Sequence, residues 1–483
     1  MADGIKKQLF SGVFYTALAK YSGIVITLVV SGVLGRLISP DDFGVVAIAT
    51  VIISFFSLFT DMGISPAIVQ NKTLTKKDLS EIFSFTLWMG FILAAIFFAS
   101  SGFIANYYDN EALRPLCQLL SLNLFFAAAN IVPNALFYKN KEFRLLAIRT
   151  FAIQVICGGL AVGAAFGGAG LYALTINPIL SGILVFIVCM RKYPLCPSFT
   201  FGIGAIKKIF SYSAYQFMFS LINYFSRNLD KLLIGKHLSM ESLGFYEKSY
   251  RLMMLPLQNI TAVITPVMHP VFSDFQDDKT KLASSYEKVV KLLAFIGAPL
   301  TAYLFFCSRE LMLIIFGDQW IPSVPVFSIL ALSVGVQVVL SSSGSIYQAA
   351  GDTRSLFICG LFSATLNVAG IVAGVCYWGT LNAVAWCIVV TFTINFVQCY
   401  FQMYHFTFKR NIMHFVKQLV SPIILGGVSA LVLWPVDIFT IDYNIILSFI
   451  VKSIVELIIF VAYIQLSGEF DLIGEVKKRL LHR

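Results

Sequence analysis

An apolar stretch between Gln216 and Lys231 carries Gln216, Ser220, Asn223, Arg227, Asp230 and Lys231, spaced by three or four residues. In a helix that spacing puts all six on one face. A cation placed in a membrane costs roughly 2.5–3.5 kcal/mol on insertion scales, so a basic stripe there faces something other than lipid. Two cations flanked by amide and hydroxyl groups can replace part of the hydration shell of an anion, which is binding chemistry rather than covalent chemistry.

Other charges in apolar stretches extend the list. Lys20 lies within the first apolar run with no acidic residue within a helical turn. Its cavity reading stands beside snorkelling to the near surface. Asp61 reads as a coupling site for a proton or cation, or as a group that bonds the backbone freed by Pro66. Glu247 and Arg251 have the i,i+4 spacing of a helix-internal pair, which competes with a substrate role for Arg251. Asp230 reads as the local counter-charge of Arg227 and Lys231, and Lys452 with Glu456 as an ion pair within one helix.

The elements that carry these residues follow from composition. Of 483 residues, 58% are hydrophobic and 12% charged, and the mean hydropathy is +0.82. Soluble domains hold about 25% charged residues, so this is an all-α, multi-pass membrane protein. Windows of about 20 residues place fourteen helices near 13–37, 43–69, 80–105, 115–138, 145–167, 171–190, 209–234, 244–270, 288–308, 323–347, 355–377, 381–403, 415–435 and 444–466. Lys and Arg alternate between connections: 25 of the 35 fall at the termini and in or flanking the even-numbered connections, and Arg36, Arg114, Lys236 and Arg309 in or flanking the odd ones. The positive-inside rule then puts both termini in the cytoplasm.

The chain also repeats itself. A shift of 200 residues sets Leu34-Gly35-Arg36 on Ile234-Gly235-Lys236, Ser39 on Ser239, Asp41 on Glu241, Gly44 on Gly244, and Ile64-Ser65-Pro66 on Ile264-Thr265-Pro266. A repeat of six helices enters the membrane the same way up twice. The expected organisation is an N-lobe over 1–200 (helices 1 to 6), a C-lobe over 201–405 (helices 7 to 12), and helices 13 and 14 with a cytoplasmic tail over 406–483. The same shift lays the basic stripe on Thr16, Lys20, Gly23, Thr27 and Ser31. Helices 1 and 7, with 2 and 8, are expected to line a central cavity.

Several classes of function are excluded. The net charge of +10 is spread over short loops and forms no soluble basic patch, so no nucleic-acid partner is expected. The nine cysteines contain no CxxC pair, and the five histidines no HExxH or paired spacing, so no metal is expected. No nucleotide loop or nucleophile constellation is present, hence no cofactor, no catalytic residues and no enzyme. A membrane glycosyltransferase or polymerase would need a catalytic acid on a sizeable external loop, whereas the external connection near Ser308 to Pro322 is short. Around Gly202 to Lys208 an amphipathic surface helix is expected.

The run Gly32 to Gly44, followed by Asp61-Met-Gly-Ile-Ser-Pro-Ala-Ile-Val-Gln70, resembles the start of Wzx-type polysaccharide flippases. So do Asn228-Leu-Asp-Lys-Leu-Leu-Ile-Gly235, Leu243-Gly-Phe-Tyr246 and Leu255-Pro256, which are similar to the colanic-acid and teichuronic-acid exporter branch of the multidrug/oligosaccharidyl-lipid/polysaccharide exporter superfamily. The resemblance implies two six-helix lobes that move an undecaprenyl-pyrophosphate-linked glycan across the bacterial inner membrane, for O-antigen, capsule or exopolysaccharide assembly, with a downstream polysaccharide polymerase as a further partner. It also implies that cavity cations bind the pyrophosphate, a role carried over to Lys20, Arg227, Lys231 and Arg251, with Asn223 beside them and Asp61, Asp230 and Glu247 as coupling or counter-charge groups. A cation-coupled multidrug antiporter of the same fold is the alternative; it would be expected to carry carboxylates where helix 1 offers Lys20. A lipid II flippase is a closer one.

Overall fold

The computed structural model describes residues 2–61, 63–71, 73–197, 221, 224–225, 227–273, 275–276 and 278–468. These residues fold into helices joined by short connections. Many large apolar side chains lie on the outside, among them Phe103 (75% exposed) and Phe439 (76%). An apolar surface of this extent requires an apolar solvent, and helices meet the demand of lipid that every backbone polar group be bonded internally. Eleven helices among the described residues are long and apolar enough to cross a membrane, or twelve if one bent pair counts as a single span. The expected helix over 209–234 lies mostly outside the described residues, as do the amphipathic segment near 202–208 and the tail from 469 on.

The chain divides into two compact units, Met1–Gly244 and Phe245–Arg483. The first contains α1 (Ala2–Leu37), α2 (Pro40–Asp61), α3 (Ile64–Gln70), α4 (Lys76–Tyr107), α5 (Leu113–Lys139), α6 (Phe143–Phe166), α7 (Ala173–Lys192), α8 (227–237) and the opening turn of α9 (Met240–Ser273). Its helix starts are locally encoded. Ser39 Oγ accepts the Asp42 N–H at 3.2 Å and donates to the Asp42 carboxylate at 2.9 Å, with Pro40 in the first helical position. Thr75 and Asp78 form the reciprocal box at the start of α4.

The repeat predicts similar geometry around Pro66 and Pro266, and the two copies differ. The first copy breaks between α2 and α3, where Gly63 takes φ +74°, whereas α9 runs unbroken through 263–266. Residue 263 is Val, which cannot adopt the left-handed conformation cheaply, so the second copy stays helical.

The second unit continues α9 and adds α10 (Lys279–Phe306), α11 (Ser308–Phe316), α12 (Ser323–Ala331), α13 (Val334–Leu340), α14 (Ser343–Ala349), α15 (Thr353–Val372), α16 (Leu381–Gln402), α17 (Met413–Thr440) and α18 (Ile445–Ser467). The span expected over 323–347 is broken: α12 meets the α13–α14 stretch at a 45° bend. Helices α10 and α13 approach through Gly297 and Gly335, and the Gly335 N–H donates to Thr301 Oγ1 at 2.8 Å. Between α13 and α14, Ser342 shares a hydrogen bond with Tyr286 Oη at 2.8 Å, and Tyr286 Oη meets Tyr400 Oη at 2.9 Å. Ser342 thus serves packing between helices.

The pair expected within α18 is not formed. The Lys452 ammonium is almost fully buried and donates to the Glu310 and Asp437 carboxylates and, at 2.9 Å, to the Phe306 carbonyl. Glu456 instead accepts from Ser429 Oγ at 2.9 Å. An i,i+4 pair is worth about 0.2–0.5 kcal/mol on an exposed helix face. A desolvated ammonium demands more, and three oxygens from α10, α11 and α17 supply it, tying the last two helices to the rest of the unit.

Candidate functional site

Lys20 sits on α1 about 200° around the helix from Leu18, given 3.6 residues per turn. Leu18, Tyr21, Val25 and Val29 form one exposed apolar face, and Lys20 is exposed on the other side. The apolar face is the one that suits lipid chains. The opposite side presents an ammonium in a stretch that carries no other charge between Lys7 and Arg36, which suits a wet path. Among the described residues Lys20 has no hydrogen-bond or ion-pair partner.

Three contacts hold α8 and the residues before it in the first unit. Tyr224 Oη donates to the Val51 carbonyl at 2.7 Å, and the Tyr224 and Phe225 rings lie 5.5 and 5.8 Å from the ring of Phe55. Further along, Gly235 lies so close to α2 that a β-carbon there would sit 2.6 Å from Ile48 Cδ1. At the far end Lys236 bonds the Asp109 carboxylate at 2.9 Å and the Tyr107 carbonyl. These contacts bury Tyr224, Ile234 and Gly235 and leave Arg227 exposed. Among the described residues Arg227 has no hydrogen-bond or ion-pair partner.

The basic stripe therefore divides. Arg227 is exposed, Lys231 is half-buried, and Asp230, 4% exposed, accepts the Lys231 backbone N–H at 2.8 Å. Asn223 and the side chain of Asp61 lie outside the described residues. Lys20, Arg227, Asp230 and Lys231 belong to the first unit, and Glu247 and Arg251 to the second. There Arg251 is exposed, and its expected pair with Glu247 is not among the described contacts. The charge that α9 buries is its neighbour Lys248, 2% exposed, with its ammonium 4.9 Å from the Phe316 ring and 5.6 Å from Trp320. Aromatic faces stabilise a desolvated cation, an arrangement invisible in sequence because the rings lie some 70 residues away.

Exposed cations on membrane-spanning helices are groups that can bind anions through charge-assisted hydrogen bonds. Among the described residues no group of three His, Cys, Asp or Glu could hold a metal ion. A family model described as polysaccharide biosynthesis protein matches residues 33–325, well over half of the chain. The chain belongs to that family. The match takes in Arg227, Lys231 and Arg251 and begins beyond Lys20. Among curated relatives of this polysaccharide biosynthesis family, the chain is 26% identical to the teichuronic acid biosynthesis protein TuaB of Bacillus subtilis, over 90% of each chain. It is 25% identical to the lipopolysaccharide biosynthesis protein WzxC of Escherichia coli, over 87% of this chain and 86% of that one. Its fold is similar to that of the lipid II flippase MurJ in an inward closed conformation, with a TM-score of 0.74 at 14% identity over 95% of this chain and 100% of that one. The resemblance to Wzx-type polysaccharide flippases read from Gly32 to Gly44 and from Asn228 to Tyr246 holds.

Proposed function

We propose that this chain is a flippase that carries an undecaprenyl-pyrophosphate-linked oligosaccharide from the cytoplasmic to the outer leaflet of the bacterial inner membrane for surface polysaccharide assembly. The observation that carries the reading is Lys20, an exposed ammonium on the side of α1 opposite its lipid-suited face. Arg227 adds a second exposed cation in the same unit. A pyrophosphate leaves its water shell to cross, and charge-assisted bonds from these two groups, together with Lys231 and Arg251, replace part of that shell. The polyprenyl tail stays in the bilayer, so the cavity handles only the head group.

In this reading the chain crosses the membrane fourteen times, with both termini in the cytoplasm. Helix α9 and the helix over 209–234 supply the two crossings beyond the twelve that are apolar enough. The lobes over 1–200 and 201–405 rock so that the cavity opens to each side in turn, no bond is made or broken, and a polymerase takes the product outside. Asp61, Asp230 and Glu247 are the coupling or counter-charge groups. The test is to delete the gene in its host and identify by mass spectrometry the lipid-linked glycan that accumulates in the inner leaflet. Accumulation of unmodified lipid II, or of no polyprenyl-linked glycan, would overturn the assignment.

A further inference from the structure

One turn along α1 from Lys20, the first unit holds an amide that nothing in the protein satisfies. Helix α6 packs on α1 through Gln154 and Gly158: a β-carbon on Gly23 would lie 2.7 Å from Gln154 Oε1, and one on Gly158 would lie 2.7 Å from Val30 Cγ2. Gly23 follows Lys20 by three residues, about 60° around the helix and ~4.5 Å along it. It lies across α1 from the exposed Tyr21 and Val25, so α6 covers a flank of the Lys20 face and leaves the lipid-suited face free. The Gln154 side chain is half-buried. Its Oε1 is buried with no partner, and among the described residues its Nε2 makes no hydrogen bond. Buried amide oxygens are nearly always bonded, and one left bare destabilises a fold. Packing therefore does not account for the amide, and a partner that arrives and leaves does.

The sequence repeat points the same way. The 200-residue shift lays Gly23 on Asn223, the amide of the second polar stripe. The first stripe has no side chain at that position, and α6 extends an amide into the space the glycine leaves. Both stripes thus combine basic and amide groups, although the first draws its amide from another helix.

An amide recognises what a cation does not. Glutamine offers an acceptor and two donors, and rotation about its last torsion exchanges them. An ionised diphosphate only accepts, which suits the Lys20 ammonium. Sugar hydroxyl and acetamido groups donate and accept, which suits an amide. In a diphosphate-linked glycan the first sugar is bonded directly to the diphosphate, and the substituent on its C2 is the polar group next to that bond. A diphosphate held on Lys20 sets this group within reach of the neighbouring helical turn.

We propose that Gln154 is a specificity-determining residue of the site, bonding the C2 hydroxyl or acetamido group of the sugar attached to the diphosphate that Lys20 holds. This rests on the flippase reading above and adds to it the part of the substrate that the cations do not distinguish.

The test measures the binding of three probes to the purified full-length protein: undecaprenyl pyrophosphate, undecaprenyl-pyrophosphoryl-glucose and undecaprenyl-pyrophosphoryl-N-acetylglucosamine. In the unaltered chain at least one sugar-bearing lipid should bind about three- to tenfold more tightly than the bare pyrophosphate, the range of one neutral hydrogen bond. Gln154→Met keeps the length of the side chain and should remove that gain, while the bare pyrophosphate, which the amide does not contact, binds as before. Its unliganded unfolding temperature should be unchanged or higher, because no bond within the protein is lost. Gly23→Ala, whose β-carbon displaces the amide, should reduce the gain in the same way, and Gly159→Ala, in open space on the same helix, should keep it. A gain that survives in Gln154→Met, or no gain from either sugar in the unaltered chain, would overturn the assignment. So would equal weakening of all three lipids or a lowered unfolding temperature in Gln154→Met, the marks of a structural amide. If Gln154→Met fails to insert, Gly23→Ala with the same three lipids decides it. Failure of the flippase reading looks different: the bare pyrophosphate then binds neither the unaltered chain nor the variants.

Discussion

At the residue scale, the two exposed cations of the first unit make distinct claims. A charge-assisted hydrogen bond contributes about 1.5–3 kcal/mol, so Lys20→Ala and Arg227→Ala should each lower glycan export by roughly 10- to 100-fold at unchanged membrane insertion. Lys20→Arg should restore most of the loss, because the position needs a positive charge and has exposed space for it. Export at the wild-type level by both alanine variants, at matched protein amounts, would remove the cationic path. Lys452 makes the opposite claim, because its charge is structural. Lys452→Met leaves Glu310 buried with no ammonium beside it, which costs about 3–5 kcal/mol and should lower the thermal unfolding temperature in detergent. Glu456→Gln keeps the hydrogen bond from Ser429 and should cost under about 1 kcal/mol. Equal destabilisation by the two would mean that they act as the helix-internal pair that their spacing suggests.

At the element scale, what was legible in the sequence was whatever local pattern encodes. Apolar length gave the spans but set the starts of α2 and α4 at 43 and 80, past the Ser39 and Thr75 caps that fix them, and the 200-residue shift paired residues that the structure brings into contact at Gly44 and Gly244. What was not legible depends on partners distant in the chain. Lys452 is neutralised from α11 and α17, Lys248 is sheltered by Phe316 and Trp320, and Lys236, read only as a loop charge, anchors α8 to Asp109. Spacing along one helix reports only the neighbours on that helix. The break between α2 and α3 sits between these cases, since Pro66 and Pro266 gave the same signal and Gly63 decided the outcome. A non-glycine residue in left-handed geometry costs about 1–2 kcal/mol, so Gly63→Ala should lower the unfolding temperature measurably. Gly163→Ala, in open space on a helix, should leave it unchanged or raise it. No difference between the two would mean that the break tolerates another conformation.

At the scale of the whole molecule, the flippase reading separates three contributions to substrate binding: tail, diphosphate and sugars. The exposed cations address the diphosphate, so binding should track phosphate count more closely than polyprenyl length. A ligand that binds only the folded protein stabilises it by RT ln(1 + [L]/Kd), about 2.7 kcal/mol at a hundredfold excess over Kd. Undecaprenyl pyrophosphate should therefore raise the unfolding temperature of the purified protein, undecaprenyl monophosphate should raise it less, and undecaprenol scarcely at all. The combined Lys20→Ala and Arg227→Ala chain should lose the difference between pyrophosphate and alcohol while keeping its unliganded unfolding temperature, because among the described residues neither side chain bonds another. Equal stabilisation by all three lipids would place the recognition in the tail, and the cations would then need a different substrate. A gap between pyrophosphate and alcohol that survives in the double variant would move the diphosphate to Lys231 and Arg251, the remaining cations of the proposed path.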